Sequence, residues 1–457
     1  MHMRRFAPRL LSSLFLLAVC FALPRLVTAQ TVGTAAGVIV DAQGVLQKHI
    51  FTDPGGQLLR ERAAAAKAAL GPRLAAYSRM RKVSLNRLEK AIVDHQGQVT
   101  DAMRYLAGLL RVRYVFYYPE SNDIVLAGPA EGWLNDPAGR VVGITSGRPV
   151  VQLQDLVVAL RAFPPGKPGQ RVIGCSIDPT PEGLAAMQQF LRATGGQATP
   201  ADTQYIVNGL RASLGLQTVT INGVSPKTNF ARILVEADYR MKLIGIGLET
   251  PPVHLVSFVE RANPAQVSKN ALFRWYFVPD YQCVRVSDDN LAMELVGDGV
   301  KLVGEDELVG ANGGRQASVN KGNRASQAFV LSFTKKYAEL AERSPVYAEL
   351  RNVIDLSVVA AYIRHQDYYG KAHWTMPVLG SEKSFAVEVQ NAPQQVESAV
   401  AAIWKGSRLT TPIGGGVHIE AELAVAKHNR LPDEKGKVSK LREETQLHLA
   451  DGQWWWD

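Results

Sequence analysis

The chain has 457 residues, is 46% hydrophobic and carries a formal net charge of +9. Its apolar share is that of a globular protein with material for more than one core, which argues against a disordered or fibrous chain. The basic excess is small and spread along the sequence, so a nucleic-acid partner is not expected.

The first 29 residues read as a secretory leader. Arg4, Arg5 and Arg9 make a basic start, Leu10 to Leu23 is an uncharged apolar run, and Val27-Thr28-Ala29 offers small or short residues for cleavage. The run is shorter than the roughly 20 residues that span a bilayer, so removal is expected, not anchoring. Leu17-Ala18-Val19-Cys20 is close to a lipoprotein cleavage box, but Val19 stands where a small residue is usual, and Cys20 is expected to be discarded with the leader. No Asn begins an Asn-x-Ser/Thr sequon, which fits a bacterial envelope protein. No later apolar run is long enough for a second span.

Residues 30–110 read as a helical region. Leu58 to Ala76 is rich in Ala, Leu, Arg and Lys. Ser84 can cap a helix carrying Leu85, Leu88 and Ile92, and Thr100 another carrying Met103, Leu106 and Leu110. Residues 111–169 read as a β-rich unit with one helix: strands over 113–118 and 124–127, then a helix over 154–163. The Pro164–Gly169 run is a rigid loop.

Residues 170–322 read as an α/β unit. Strands are expected over 172–177, 218–221 and 274–278, and helices over 180–193, 203–214 and 230–241. Residues 291–296, Gly297-Asp298-Gly299 and residues 300–303 form the clearest hairpin pattern, apolar alternation around an Asp-Gly turn. Gly310 to Gly322 is a polar loop.

In 323–376, Phe329, Phe333, Tyr337 and Leu340 form one stripe. Ser344-Pro345 then caps a second helix with Tyr347, Leu350, Ile354, Val358 and Ala361 inward, the pattern of a helical hairpin. In 377–457, strands are expected over 384–389 and 417–423, followed by a mobile polar tail over 427–444. Trp454-Trp455-Trp456 could dock on a partner or membrane interface, or fold back on the chain's own core. The whole reads as α/β (α+β): an N-terminal helical region, mixed α/β units with β-hairpins, a helical hairpin and a C-terminal polar tail.

Few residues suggest chemistry. His365, Asp367 and His373 lie among Tyr362, Tyr368, Tyr369 and Trp374, the densest polar collection, but their spacing does not put two imidazoles on one helix face. Glu236 and Asp238 alternate with the apolar face of their helix, as ion-paired residues on a solvated face do. Gly174 to Asp178 lacks the second glycine of a nucleophile elbow, and Ser332 to Lys335 lacks the partner motifs of a Ser-x-x-Lys enzyme. Ile413-Gly414-Gly415-Gly416-Val417 is a flexible stretch that could cradle an anion, but no phosphate loop. Cys175 and Cys283 could pair in an oxidising compartment. No metal or cofactor pattern is read.

Several longer phrases carry a resemblance: residues 113–133 (RYVFYYPESNDIVLAGPAEGW), 147–160 (GRPVVQLQDLVVAL) and 230–249 (FARILVEADYRMKLIGIGLE), with 291–309 and 344–363. Together they resemble a family of exported planctomycete-type bacterial proteins defined by a domain of unknown function. The resemblance implies an extracytoplasmic setting and supplies no catalytic residues. The expected function is a non-catalytic envelope protein that binds or scaffolds an envelope partner; the alternative is a hydrolase of envelope polymers.

Overall fold

A computed structural model describes residues 33–41, 43–194, 200–262, 271–309, 315–317, 323–400, 413–445 and 449–457. The expected leader, with Cys20, and most of the 310–322 stretch lie outside the described residues.

Two mostly antiparallel sheets carry the α+β fold. Across the larger, the strands run Gly33–Val40, Val45–Asp53, Gln395–Glu397, Leu216–Asn222, Ile173–Asp178, Ile413–Ile419, Ala271–Pro279, Val300–Val309 and Arg315–Ala317. Across the smaller they run Leu431–Pro432, Val284–Val286, Ala292–Leu295, Tyr114–Tyr118, Asp123–Ala130, Ser78–Ser84 and Trp455–Trp456. The Asn229–Gly245 helix packs on the middle of the larger sheet, against Ile173–Asp178 and Ile413–Ile419. The Pro345–His365 helix in turn packs on Asn229–Gly245, Leu153–Ala162, Tyr337–Arg343 and Ala421–Val425. Its residues from Val346 to Ile363 are all buried, so the single inward stripe expected of it is a helix covered on every side. The largest buried cluster runs from Leu46 to Trp454 and includes Trp275, whose Nε1 donates to Ser326 Oγ at 2.9 Å.

The N-terminal region is less helical than expected. Residues 33–53 form a hairpin, with the Asp41 carboxylate accepting from the Gln43 and Val45 amides. Ser78–Ser84 is a strand whose inward face holds Arg81, fully buried, and this charged side chain breaks the apolar alternation that marks a strand. Ser84 caps the Leu85–Asp94 helix as expected. Thr100 also caps a helix, but only Asp101–Arg104; Leu106 and Ala107 then take φ of 45° and 53° and turn the chain away.

The expected 291–303 hairpin does not form. Ala292–Leu295 pairs with Val284–Val286 and Tyr114–Tyr118, while Val300–Val309 pairs with Ala271–Pro279 in the other sheet. The Asp-Gly segment is a crossover between sheets, and the buried Arg111 takes the Gly297 carbonyl at 2.9 Å. Residues 384–389 form no strand. Side chains satisfy their backbone instead: Arg161 donates to the Phe385 carbonyl and the Val387 amide donates to Glu382.

The glycine run Gly414-Gly415-Gly416 belongs to a central strand. A Cβ on Gly415 would stand 1.9 Å from the Trp275 carbonyl oxygen, so only glycine lets the strands approach there. In the expected mobile tail, Asp433 accepts from the Val438 and Ser439 amides and opens the Lys437–Glu444 helix. The Trp triplet folds back: Trp455–Trp456 pairs with the Ser78–Ser84 strand, and Trp454 and Trp456 are buried.

Candidate functional site

The densest polar chemistry lies along the Asn229–Gly245 helix. Thr228 caps it by accepting from the Ala231 amide, and the apolar residues Phe230, Leu234, Ala237 and Met241 commit it to the core. Glu236, Asp238, Arg240 and Lys242 are buried too, Glu236 toward Arg140 and Glu349 on the covering helix and Asp238 with Lys242 toward the Ile177 strand of the sheet, and the solvated face expected of them is absent. Two residues apart on a helix, Glu236 and Asp238 point about 200° from one another.

Each therefore has its own partners. Arg140 forms a fork between Glu236 and Glu349, and Arg240 reaches Glu236 at 3.5 Å and Glu249 at 2.7 Å. Lys48 closes the far end on Glu249 at 2.8 Å. Burial by itself would raise the Glu236 carboxyl, but Arg140 and Arg240 outweigh it and hold the group below its usual range. Asp238 meets Lys242 at 2.8 Å, and the Lys242 ammonium also donates to the Ile177 carbonyl at 3.1 Å. Burial pushes Asp238 up to about 6, with Lys242 opposing it.

His365, Asp367 and His373 do not come together. His365 ends its helix exposed at the surface, and partial desolvation, then the neighbouring Arg430, lowers its imidazole. Asp367 adopts φ 52° and caps the short Tyr368–Lys371 helix through the Gly370 amide. His373 is exposed at φ 49°. Among the described residues no hydrogen bond or ion pair links any two of the three, and no group of three or more His, Cys, Asp or Glu stands ready for a metal. Cys175 and Cys283 are buried free thiols, not a disulfide. Burial raises both, Cys283 to about 12, so neither is a ready nucleophile.

A surface groove of about 380 Å³ lies at the Thr228 end of the Asn229–Gly245 helix, within the size range of small-molecule sites. Val158 and Ala162 form part of its floor, and Val387 and Val389 one wall. The turn after Leu216–Asn222 supplies Ser225 and Lys227. Arg161 is tied down by Glu382 and by the Leu379 and Phe385 carbonyls, which fixes that wall in place. Lys227 is exposed and joins no ion pair among those of the described residues.

The sequence did not single out Arg140, Asp155, Glu349 or Asn352. Arg140 follows an Asp-Pro-Ala-Gly turn, which signals a loop end and no chemistry. The others fall among apolar residues on helices; five buried polar residues within the 345–357 stretch of a helix otherwise apolar on all sides were the available clue.

A family model described as "Protein of unknown function (DUF1598)" matches residues 175–258. That stretch includes the buried Asn229–Gly245 helix, the Lys227 turn and the 230–249 phrase, but not the 113–133 phrase. The chain matches none of the curated proteins and none of the solved structures with which it was compared. What the comparisons establish is similarity, over residues 175–258, to a domain whose function is unknown.

Proposed function

We propose that the chain is an exported, non-catalytic binding protein of the cell envelope, and that the groove beside Lys227 is its ligand seat. The leader-like residues 1–29 support the export. The observation that carries the binding reading is a contrast. Of the acids and bases that could run chemistry, Glu236 and Asp238 are buried in ion pairs, Asp367 caps a helix, and His365 and His373 stand apart from them, while an open apolar groove presents one unpaired ammonium at its rim. The wall of valines suits an apolar body and Lys227 suits an anionic head, so the ligand class is a small amphiphilic carboxylic acid.

The test is calorimetry with short-chain carboxylates and their methyl esters on the chain from Gln30 onward. Saturable binding of the acids, weaker binding of the esters and at least about tenfold loss in Lys227→Glu support the reading. Equal binding of acids and esters, or no loss in Lys227→Glu, overturns it. No helix among the described residues is long and apolar enough to cross a membrane, so detergent is not needed for a helical span.

A further inference from the structure

A much smaller space lies deeper, between the Leu153–Ala162, Asn229–Gly245 and Pro345–His365 helices. Its volume is about 10 Å³, room for one water-sized particle. Asp155, Glu349 and Asn352 line it, and all three are more than nine-tenths buried. Asp155 Oδ2 accepts from Asn229 Nδ2 at 2.9 Å, but Asp155 Oδ1 has no hydrogen-bond partner. Asn352 spends its amide nitrogen on the Leu110 carbonyl at 3.1 Å, and its Oδ1 is likewise without a partner.

The surroundings hold little to donate. The Asn229 side chain gives its nitrogen to Asp155 and accepts from Arg232 at 2.7 Å, Glu349 is engaged by Arg140, and Gln152, which also lines the space, accepts from Gln154 at 2.6 Å and donates to neither orphaned oxygen. Two buried acceptors thus line a space of one particle with no neighbouring donor shown to satisfy them, which calls for an occupant. Charge says which kind. Glu236, Asp238, Glu349 and Asp355 each touch an Arg or Lys, whereas Asp155 touches only an amide. One carboxylate is therefore left without a cation in hydrogen-bond reach, deep in the protein, where an unpaired charge is costly. Burial first, and then the nearby Glu349, push the Asp155 carboxyl up to about 7, with the Asn229 hydrogen bond and the more distant Arg232 opposing them.

We propose that this crevice binds one dehydrated monovalent cation of sodium size, held by the Asp155 carboxylate and the Asn352 amide oxygen beside Glu349. The lining offers oxygen ligands and one unbalanced negative charge, which selects a hard cation of single charge. The space is too small for an ion that keeps its water shell, which disfavours magnesium.

Thermal unfolding in sodium chloride against choline chloride, at matched ionic strength, tests this. The expected result is a melting temperature about 2 °C or more higher in sodium, saturating with concentration. Asp155→Asn abolishes the difference, and Asn352→Leu reduces it while leaving the carboxylate in place. If Asp155→Asn does not fold, Asn352→Leu and the wild-type titration decide. Identical melting in the two salts overturns the proposal and leaves water as the occupant; an undiminished sodium response in Asn352→Leu, or a response to calcium at micromolar concentration without one to sodium, overturns it as well.

Discussion

Arg111 and Asp355 meet across 244 residues of sequence in a two-toothed pair, Nε to Oδ2 at 2.6 Å and Nη2 to Oδ1 at 3.3 Å. Both are buried, and Arg111 also holds the Gly297 carbonyl, so one guanidinium fixes the central helix to the crossover between the two sheets. Asp355 further offsets Arg351, another buried guanidinium nearby. Asp355→Ala would leave two buried positive charges facing each other, with an expected loss of about 3–5 kcal/mol. Chemical denaturation checks it; a loss below about 1 kcal/mol would show the pair to be dispensable.

Asp155 sets a pH dependence. Its carboxyl lies near 7 in the folded chain and in the ordinary carboxylate range when unfolded, so between about 4 and 7 the folded state holds a proton that the unfolded state has released. Stability therefore falls as pH rises through that window and levels off above it, with a slope approaching about 1.4 kcal/mol per pH unit. Asp238, raised to about 6 by burial, adds in the same direction over the lower part of the window. Urea unfolding in sodium-free buffer should show a flatter profile for Asp155→Asn than for wild type. Parallel profiles would contradict the assignment to Asp155.

Local signals were legible in the sequence where local rules decide structure. Ser84, Thr100 and Thr180 each stand at a helix start and accept a backbone amide there. The strand at 173–178 and the helix after it also follow from local pattern. What failed depends on distant partners. The Gly297-Asp298-Gly299 turn suits a hairpin, yet Arg111 and the competing strands Tyr114–Tyr118 and Ala271–Pro279 draw its flanks into different sheets. Glu236 and Asp238 have the alternation of surface charges, and only the packing of a helix layer on one side and the sheet on the other buries them. The Asp155 crevice needs three helices brought together, and no single stretch of sequence contains that information.

Trp456 closes the smaller sheet. It is buried with Phe116, Val125 and Val438, while Trp455, on the other side of the same strand, is half-buried against the larger core and lies 5.0 Å from both the Arg73 and Arg81 guanidinium groups. Trp456→Ala is expected to lose about 3–5 kcal/mol, the range for a large aromatic removed from a core. Trp455→Ala should lose about 1–2 kcal/mol, since a cation–π contact and partial burial are all it forfeits. Equal losses, measured by denaturant titration, would mean that the strand contributes through its backbone pairing and not through the Trp456 ring.

Two glycines with positive φ separate the effect of crowding from that of backbone conformation. Gly297 has φ 72° and an added Cβ would meet nothing within 4 Å, so Gly297→Ala carries only the left-handed strain of about 1–2 kcal/mol. Gly415 has φ 140° and its Cβ would lie 1.9 Å from the Trp275 carbonyl oxygen, inside the paired centre of the larger sheet. Trp275 cannot retreat, because its ring is fixed by Ser326 and packed on Phe258 and Phe329. Gly415→Ala should therefore lose more than about 4 kcal/mol or fail to give soluble protein, while Gly297→Ala folds and melts only slightly lower. Similar melting temperatures for the two variants would mean that the Ile413–Ile419 strand does not sit against Ala271–Pro279 as closely as this pairing requires.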